Sequence, residues 1–210
     1  QRQALESAAQ DIADFSHLGH VTTESLSHVY ESALITPQVR KALGTHSTPQ
    51  YLVDYVVWKL RPWIEDITED RRHVFEPACG HAAFLVAAVR LLKELLEDKQ
   101  IDRKKYLRSH LHGLEIDSFA IEIARLSLTL ADIPNPNGWD LICDDMFTKS
   151  LLAKKAGAAT ILLGNPPFEN FSKRDRDAYE SQSQTISHVN KTAEVLGQVL
   201  PQLPVGGVFG

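Results

Sequence analysis

The chain's 210 residues, 43% apolar and 23% charged, suit one sizeable α/β domain with a small helical appendage. No apolar run approaches the roughly 20 residues that cross a bilayer, the N-terminus lacks a signal-peptide pattern, and Cys79 and Cys143 are too few for a disulfide framework or a zinc cluster, so a soluble protein of a reduced cytoplasm is expected. The formal net charge of −5 speaks against a dedicated nucleic-acid-binding domain, although a local basic patch can coexist with an acidic remainder.

Taken in chain order, the first stretch to about Ala42 is predicted helical. Leu5, Ala8, Ala9, Ile12 and Phe15 recur at helical spacing, as do Leu26, Val29, Tyr30 and Leu34, with Gly19 between the two runs. After Gly44, Thr48-Pro49 signals a helix start, because proline in the first turn loses no needed hydrogen bond. An amphipathic helix follows from Gln50 to Leu60, with Pro62 marking its end or a kink. This gives an N-terminal helical segment over residues 1–65 and a catalytic core over 66–210.

From His73 the pattern becomes strand, turn and helix: His73 to Glu76, then Pro77-Ala78-Cys79-Gly80, then a helix from about Ala82 to Asp98. A polar linker leads to a second strand, Leu111 to Asp117, and a helix from Ser118 to Ala131. Pro134, Pro136 and Gly138 interrupt the chain. A third strand, Trp139 to Cys143, ends in Asp144-Asp145, and after a short helix a fourth, Thr160 to Leu163, ends in Gly164-Asn165-Pro166-Pro167-Phe168. A polar, charge-rich loop, a helix from about Ser187 to Leu203 and a turn at Gly206-Gly207 complete the chain. Alternating strands and helices predict a parallel sheet with helices on both faces, in which ligands bind at the carboxyl ends of the strands. Every polar cluster below falls at such an end.

At the first strand end, Gly80 lets backbone approach a ligand and the following helix offers free N–H groups. With the Glu76 carboxylate nearby, the loop suits a zwitterionic amino-acid group, as in S-adenosylmethionine; an ordinary βα turn with a buried cysteine explains the same residues. Glu115 at the second strand end can accept from ribose hydroxyls, and equally from helix-cap amides. Asp144-Asp145 can accept from an adenine amine, or form a plain loop pair. Asn165-Pro166-Pro167-Phe168 is more specific: two prolines make a stiff exposed turn. That turn aims the Asn165 amide and the Pro166 carbonyl outward beside an aromatic ring. A flipped base would find two acceptors for its amine and a face to stack on.

Asn165-Pro166-Pro167-Phe168 resembles the NPPF/NPPY signature of amino-group DNA methyltransferases. With Glu76-Pro77-Ala78-Cys79-Gly80 upstream, the order resembles the γ-class N6-adenine enzymes, including type I modification subunits and type IIG fusions. Thr48-Pro49 resembles the family's motif ahead of the cofactor loop, Gly113 to Asp117 its acidic ribose motif, and Val205 to Phe209 the strand after the catalytic turn. The similarity covers about residues 20 to 210. It implies a Rossmann-like S-adenosylmethionine-dependent fold and direct methyl transfer to adenine N6, with double-stranded DNA as partner. It further implies that the chain stops short of the family's later strands and target-recognition domain or specificity subunit, as part of a longer restriction–modification protein.

Carried over by position, Glu76, Pro77, Ala78, Gly80 and Phe84 bind the cofactor at its methionine end, with Thr48 closing it. Glu115 holds the ribose, Ile116 packs on the adenine ring, and Asp145 (or Asp144) bonds its amine. Asn165, Pro166, Pro167 and Phe168 hold the target base. Cys79 and Cys143 are expected to pack rather than attack, no histidine is needed for catalysis, and no metal is expected. Lys173, Arg174 and Arg176 suit phosphate contacts or a solvated loop. One departure stands out: Ala82 occupies the place of the family's second loop glycine, where its methyl would crowd the ligand or a positive φ would cost strain of order 1 kcal/mol. The alternatives are a non-catalytic methyltransferase-like scaffold, or the same chemistry on RNA or a protein glutamine.

Overall fold

In the computed structural model, residues 22–29, 48–96, 102–133 and 138–210 are described. The N-terminal runs read as helical fall largely outside them; within them lies helix α1 (Thr23–Val29). The described helices continue with α2 (Gln50–Glu65), α3 (Ala83–Leu95), α4 (Arg103–His110), α5 (Ser118–Ala131), α6 (Leu151–Ala156), α7 (Lys173–Ser181) and α8 (Lys191–Val199). The strands are β1 (Val74–Pro77), β2 (Leu111–Glu115), β3 (Asp140–Cys143), β4 (Ile161–Leu162) and β5 (Val208–Phe209).

These strands form one sheet in the order β3-β2-β1-β4-β5, every pair parallel. The chain runs outward from β1 through β2 to β3, then returns past β1 to place β4. The order therefore reverses between β1 and β4, opening a crevice at their carboxyl ends. Successive side chains leave a strand on opposite faces, and the core divides accordingly. Val74, Ile161 and Leu163 join Val53, Val57, Ile64, Leu85, Leu92 and Leu128 on the face of α2, α3 and α5. Phe75 and Leu162 join Leu114, Phe147, Leu152, Val195 and Val199 on the face of α6 and α8. Helix α3 is buried almost all round, as its run of Ala, Phe, Leu and Val requires.

Three segments depart from the sequence reading. Helix α2 runs through Pro62 to Glu65 rather than stopping near Leu60. Its last turn is retained because Ile64 is buried and Arg61 pairs with both Glu65 and Glu94 at 2.7 Å. The buried Arg72 guanidinium then donates to the carbonyls of Glu65, Ile67 and Leu95, satisfying acceptors at the ends of both α2 and α3. The polar linker before β2 contains α4, whose few inward residues, Tyr106, Leu107 and His110, are scattered in a basic run. The charged loop after the fourth strand contains α7. Ser172 and Asp175 form a reciprocal capping box there, a start signal present in the sequence.

Candidate functional site

The loop between β1 and α3 is shaped by backbone. Ala78, Gly80 and Ala82 all have positive φ, at 56°, 52° and 67°. Cys79 N donates to Leu114 O at 2.9 Å and Ala82 N to Cys79 O at 2.7 Å, which closes the loop against β2. Gly113 allows that approach, because a Cβ there would lie 2.6 Å from the Leu141 side chain and 3.1 Å from Cys79 Sγ. A Cβ on Gly80, in contrast, would meet nothing within 4 Å, so the loop's outer side is open.

Ala82 is 0% exposed and belongs to the apolar core. Its methyl faces the protein interior, so the crowding expected from the sequence does not arise, whereas the positive φ does. Phe84 is likewise in the core and Pro77 buried in β1, so both support the loop from behind.

Two carboxylates flank this loop. Glu76 is 3% exposed and its Oε2 accepts Leu85 N–H at 3.1 Å. Leu85 is the third residue of α3, and Ala82 has no side chain to cap it, so Glu76 serves as the cap from the neighbouring strand. Burial, reinforced by the nearby Glu115 charge, pushes the Glu76 carboxyl well above its ordinary range, with the Leu85 amide opposing. Glu115 Oε2 accepts Gly80 N–H at 2.9 Å, and its Oε1 accepts Ile116 N–H at 2.9 Å and Asp117 N–H at 3.0 Å. Burial raises the Glu115 carboxyl too, against the opposing pull of those three amides. Beside it Ile116 is 55% exposed.

At the end of β3, the alternatives separate. Asp144 Oδ2 pairs with Lys149 Nζ at 2.8 Å, and that ammonium holds its carboxyl below the usual range. Asp145 is half-buried, accepting Phe147 N–H at 3.0 Å on Oδ1 and the Tyr179 hydroxyl at 2.7 Å on Oδ2. Of the cysteines, Cys79 is buried and its thiol pushed well up by burial and then by the Glu76 and Glu115 charges. Cys143 is exposed rather than packed, because it sits at the open end of β3.

The 165–168 turn is oriented from a distance. Asn165 Nδ2 donates to Thr48 Oγ1 at 3.1 Å, joining positions 117 residues apart. The Thr192 hydroxyl donates to Pro167 O at 2.7 Å and lies 3.5 Å from Pro166 O, too long for a strong bond. Asn190 Nδ2 donates to Phe168 O at 2.7 Å, while Phe171 N–H and Lys191 N–H reach Val189 O and Glu169 O at 2.9 Å. Phe168 itself is 60% exposed. Asn190, Thr192 and Tyr179 were not among the residues singled out from the sequence. The capping signal at Ser172 and the start of α8 at Asn190 were the available pointers.

The fold therefore brings Thr48, Glu76, Gly80, Glu115, Asp145 and Asn165 to one edge of the sheet, the edge that includes the β1–β4 crevice. A model of the N-6 DNA methylase family matches residues 21–196. The chain belongs to the N-6 DNA methylase family.

The chain is 24% identical over 115 residues to the adenine-specific methyltransferase PglX of Streptomyces coelicolor, covering 52% of this chain and 9% of PglX. It is 27% identical over 138 residues to the type II restriction enzyme and methyltransferase RM.BcgI of Heyndrickxia coagulans, covering 65% of this chain and 21% of that one. The chain thus spans at most about a fifth of these relatives. Among solved structures, its fold is similar to that of the ATP-dependent type ISP restriction-modification enzyme LlaBIII bound to DNA. That likeness has a TM-score of 0.60 at 18% identity, over 96% of this chain and 18% of LlaBIII. The type I restriction enzyme EcoKI M protein matches with a TM-score of 0.56 at 20% identity, over 86% of this chain and 41% of that one.

The expected recognition of a γ-class N6-adenine methyltransferase is borne out at the level of the family, and the expected Rossmann-like α/β fold is borne out by the parallel sheet and its structural neighbours. Membership implies S-adenosylmethionine as the cofactor. Among the described residues no helix is long and apolar enough to cross a membrane.

Proposed function

We propose that this chain forms the methyl-transfer centre of an adenine-N6 DNA methyltransferase acting on a base flipped from the duplex. The observation that carries the reading is the Asn165–Thr48 hydrogen bond. With Nδ2 engaged by Thr48, the Asn165 amide presents Oδ1 as an acceptor, and the Pro166 carbonyl is the next acceptor along the chain. Two neighbouring acceptors match the two hydrogens of an exocyclic amine, and the exposed Phe168 ring offers a stacking face. The amine lone pair is partly delocalised into the ring. Acceptors already aimed at its hydrogens draw the nitrogen toward tetrahedral geometry and stabilise the positive charge that grows on it as the new bond forms. No covalent enzyme intermediate is required.

The residues present fit the implied cofactor. Open space lies over Gly80, and the start of α3 presents backbone amides toward that loop. The amides of Ala83 and Phe84 at the start of α3, beside the open side of Gly80, would hold the cofactor's carboxylate, Glu76 its ammonium and Glu115 its ribose hydroxyls. Ile116 would pack on the adenine ring. Asp145 would accept from the adenine amine, and is favoured over Asp144, whose outer oxygen is already neutralised by Lys149. When bound, the cofactor supplies an electrophilic methyl on a sulfonium. Double-stranded DNA is the proposed substrate, supported by the family's description as DNA methylases. The proposed partner is a target-recognition domain or specificity subunit distinct from these residues. Lys173 and Arg174, exposed at the start of α7, suit phosphate contacts.

Calorimetric titration with S-adenosylmethionine, paired with methylation of adenine-containing DNA, tests the reading. Saturable binding is expected. In Asn165→Ala, methylation should fall by on the order of 1,000-fold while cofactor affinity stays within about twofold. Parallel loss of both would overturn the division between a cofactor loop and a target turn.

A further inference from the structure

Tyr179 has no role in the centre described above, yet its side chain ends on a proposed cofactor ligand. It lies on α7, in the segment that follows the catalytic turn, and its hydroxyl donates to Asp145 Oδ2 at 2.7 Å. The other oxygen, Oδ1, accepts Phe147 N–H at 3.0 Å. One donor on each oxygen fixes the rotation of the carboxylate about its own bond. Tyr179 is in turn fixed by its ring. It packs edge-on against Phe147 and Phe171, with centroids at 6.0 and 5.9 Å, and those two buried rings are 4.9 Å apart in the same edge-on geometry. The cluster belongs to the apolar layer under the β1–α3 loop, where Ala78 also packs. Burial, then the Asp145 bond, raises the phenol above its ordinary range, so it remains a donor at neutral pH.

A freely rotating carboxylate turns to meet any donor. A carboxylate pinned on both oxygens keeps its unused lone pairs in set directions and accepts well only from a donor placed there. We propose that Tyr179 is a positioning residue that fixes the Asp145 carboxylate for recognition of the cofactor's adenine amine, so that α7 contributes to base selectivity in the cofactor site. This rests on the assignment of Asp145 to the adenine amine.

The test compares binding of S-adenosylhomocysteine with that of its inosine analogue, in which a carbonyl replaces the 6-amino group, on the intact protein. The wild type should prefer the adenine form by roughly 30- to 100-fold, the scale of one hydrogen bond to a charged group. Tyr179→Phe keeps the ring and its edge contacts, and should shrink that preference to below about 5-fold. Asp145→Asn should shrink it similarly, and the double variant should lose no more than either single one. Retention of the wild-type preference in Tyr179→Phe, with Asp145→Asn losing it, overturns the proposal and leaves the Asp145 assignment standing. Equal binding of both ligands by the wild type, or an undiminished preference in Asp145→Asn, overturns that assignment and the proposal with it. A second readout needs no folded variant: in carbon-labelled tyrosine spectra of the wild type, the Tyr179 resonance should move further with the adenine ligand than with the inosine one. Equal movement overturns the proposal.

Discussion

The two loops at the carboxyl edge of the sheet are built in opposite ways. Residues 78–82 take their shape mostly from main chain, with left-handed backbone at Ala78, Gly80 and Ala82 and a hydrogen bond from Cys79 N–H to β2, and one distant side chain, Glu115, accepts Gly80 N–H. The charges beside this loop are latent, since Glu76 is buried and Glu115 half-buried, and both are raised in pKa and accept backbone amides. The 165–168 turn is stiffened by its two prolines but aimed by side chains far away in sequence, namely Thr48, Asn190 and Thr192. A loop shaped by its own backbone tolerates distant substitutions. A turn aimed by remote hydroxyls and amides does not. The two should therefore fail separately, one in cofactor affinity and the other in turnover.

The strongest test of that separation is Thr192→Val, which keeps the shape of the side chain and removes the donor to Pro167 O. Misaiming the neighbouring Pro166 carbonyl should lower kcat by roughly 10- to 100-fold, because small displacements at a reacting centre are costly. Cofactor affinity should stay within about twofold. A matching loss of affinity would mean that the turn and the loop are one unit. On the other side, Glu115→Ala removes an acceptor from Gly80 N–H and from the proposed ribose position, and should weaken cofactor binding by roughly 1–3 kcal/mol. Unchanged affinity would remove Glu115 from the site.

A smaller effect follows from the latent charges. Both folded carboxyls are raised above their unfolded values, so the folded state holds these protons more tightly. Their contribution to stability is thus present at low pH and is lost as pH climbs from the ordinary carboxyl range through the raised folded values. An ammonium bound at Glu76 needs the ionised form, so its binding strengthens over that same window. Thermal stabilisation by S-adenosylhomocysteine should be larger at about pH 8 than at about pH 5. The reverse order would mean that the carboxylates stay bonded to protein amides in the complex.

The same contrast explains how much of the site was legible in the sequence. The β1, β2 and β3 ends were readable because short apolar runs end in Glu76, Glu115 and Asp144-Asp145, and α5 begins where Asp117 caps it. The 165–168 turn was readable from its two prolines together with the asparagine before them and the phenylalanine after. What aims that turn was not: Thr192 and Asn190 lie 25 and 22 residues from the carbonyls they hold, and no local spacing records such a pairing. Helix α4 was hidden because three buried side chains in eight residues leave a weak apolar stripe. Helix α7 was hidden by composition, although its Ser172–Asp175 cap was in view. Glu76 was read as a ligand group, whereas its service as a cap for α3 depends on Ala82 having no side chain to offer.

Ala82 offers the finest test of a loop shaped by its backbone. Its φ of 67° costs an alanine about 1–2 kcal/mol relative to the right-handed region, and glycine would be relieved of that strain. The same substitution removes a fully buried methyl from the core, which costs about 0.8 kcal/mol. The two nearly offset, so Ala82→Gly should raise unfolding stability by less than about 1 kcal/mol, read from the denaturant midpoint at constant slope. Because the methyl faces the core and not the open side of Gly80, cofactor affinity should barely move. Tightening of tenfold or more in Ala82→Gly would instead place that methyl against the ligand, and the loop would then be limited by crowding rather than by the cost of its left-handed backbone.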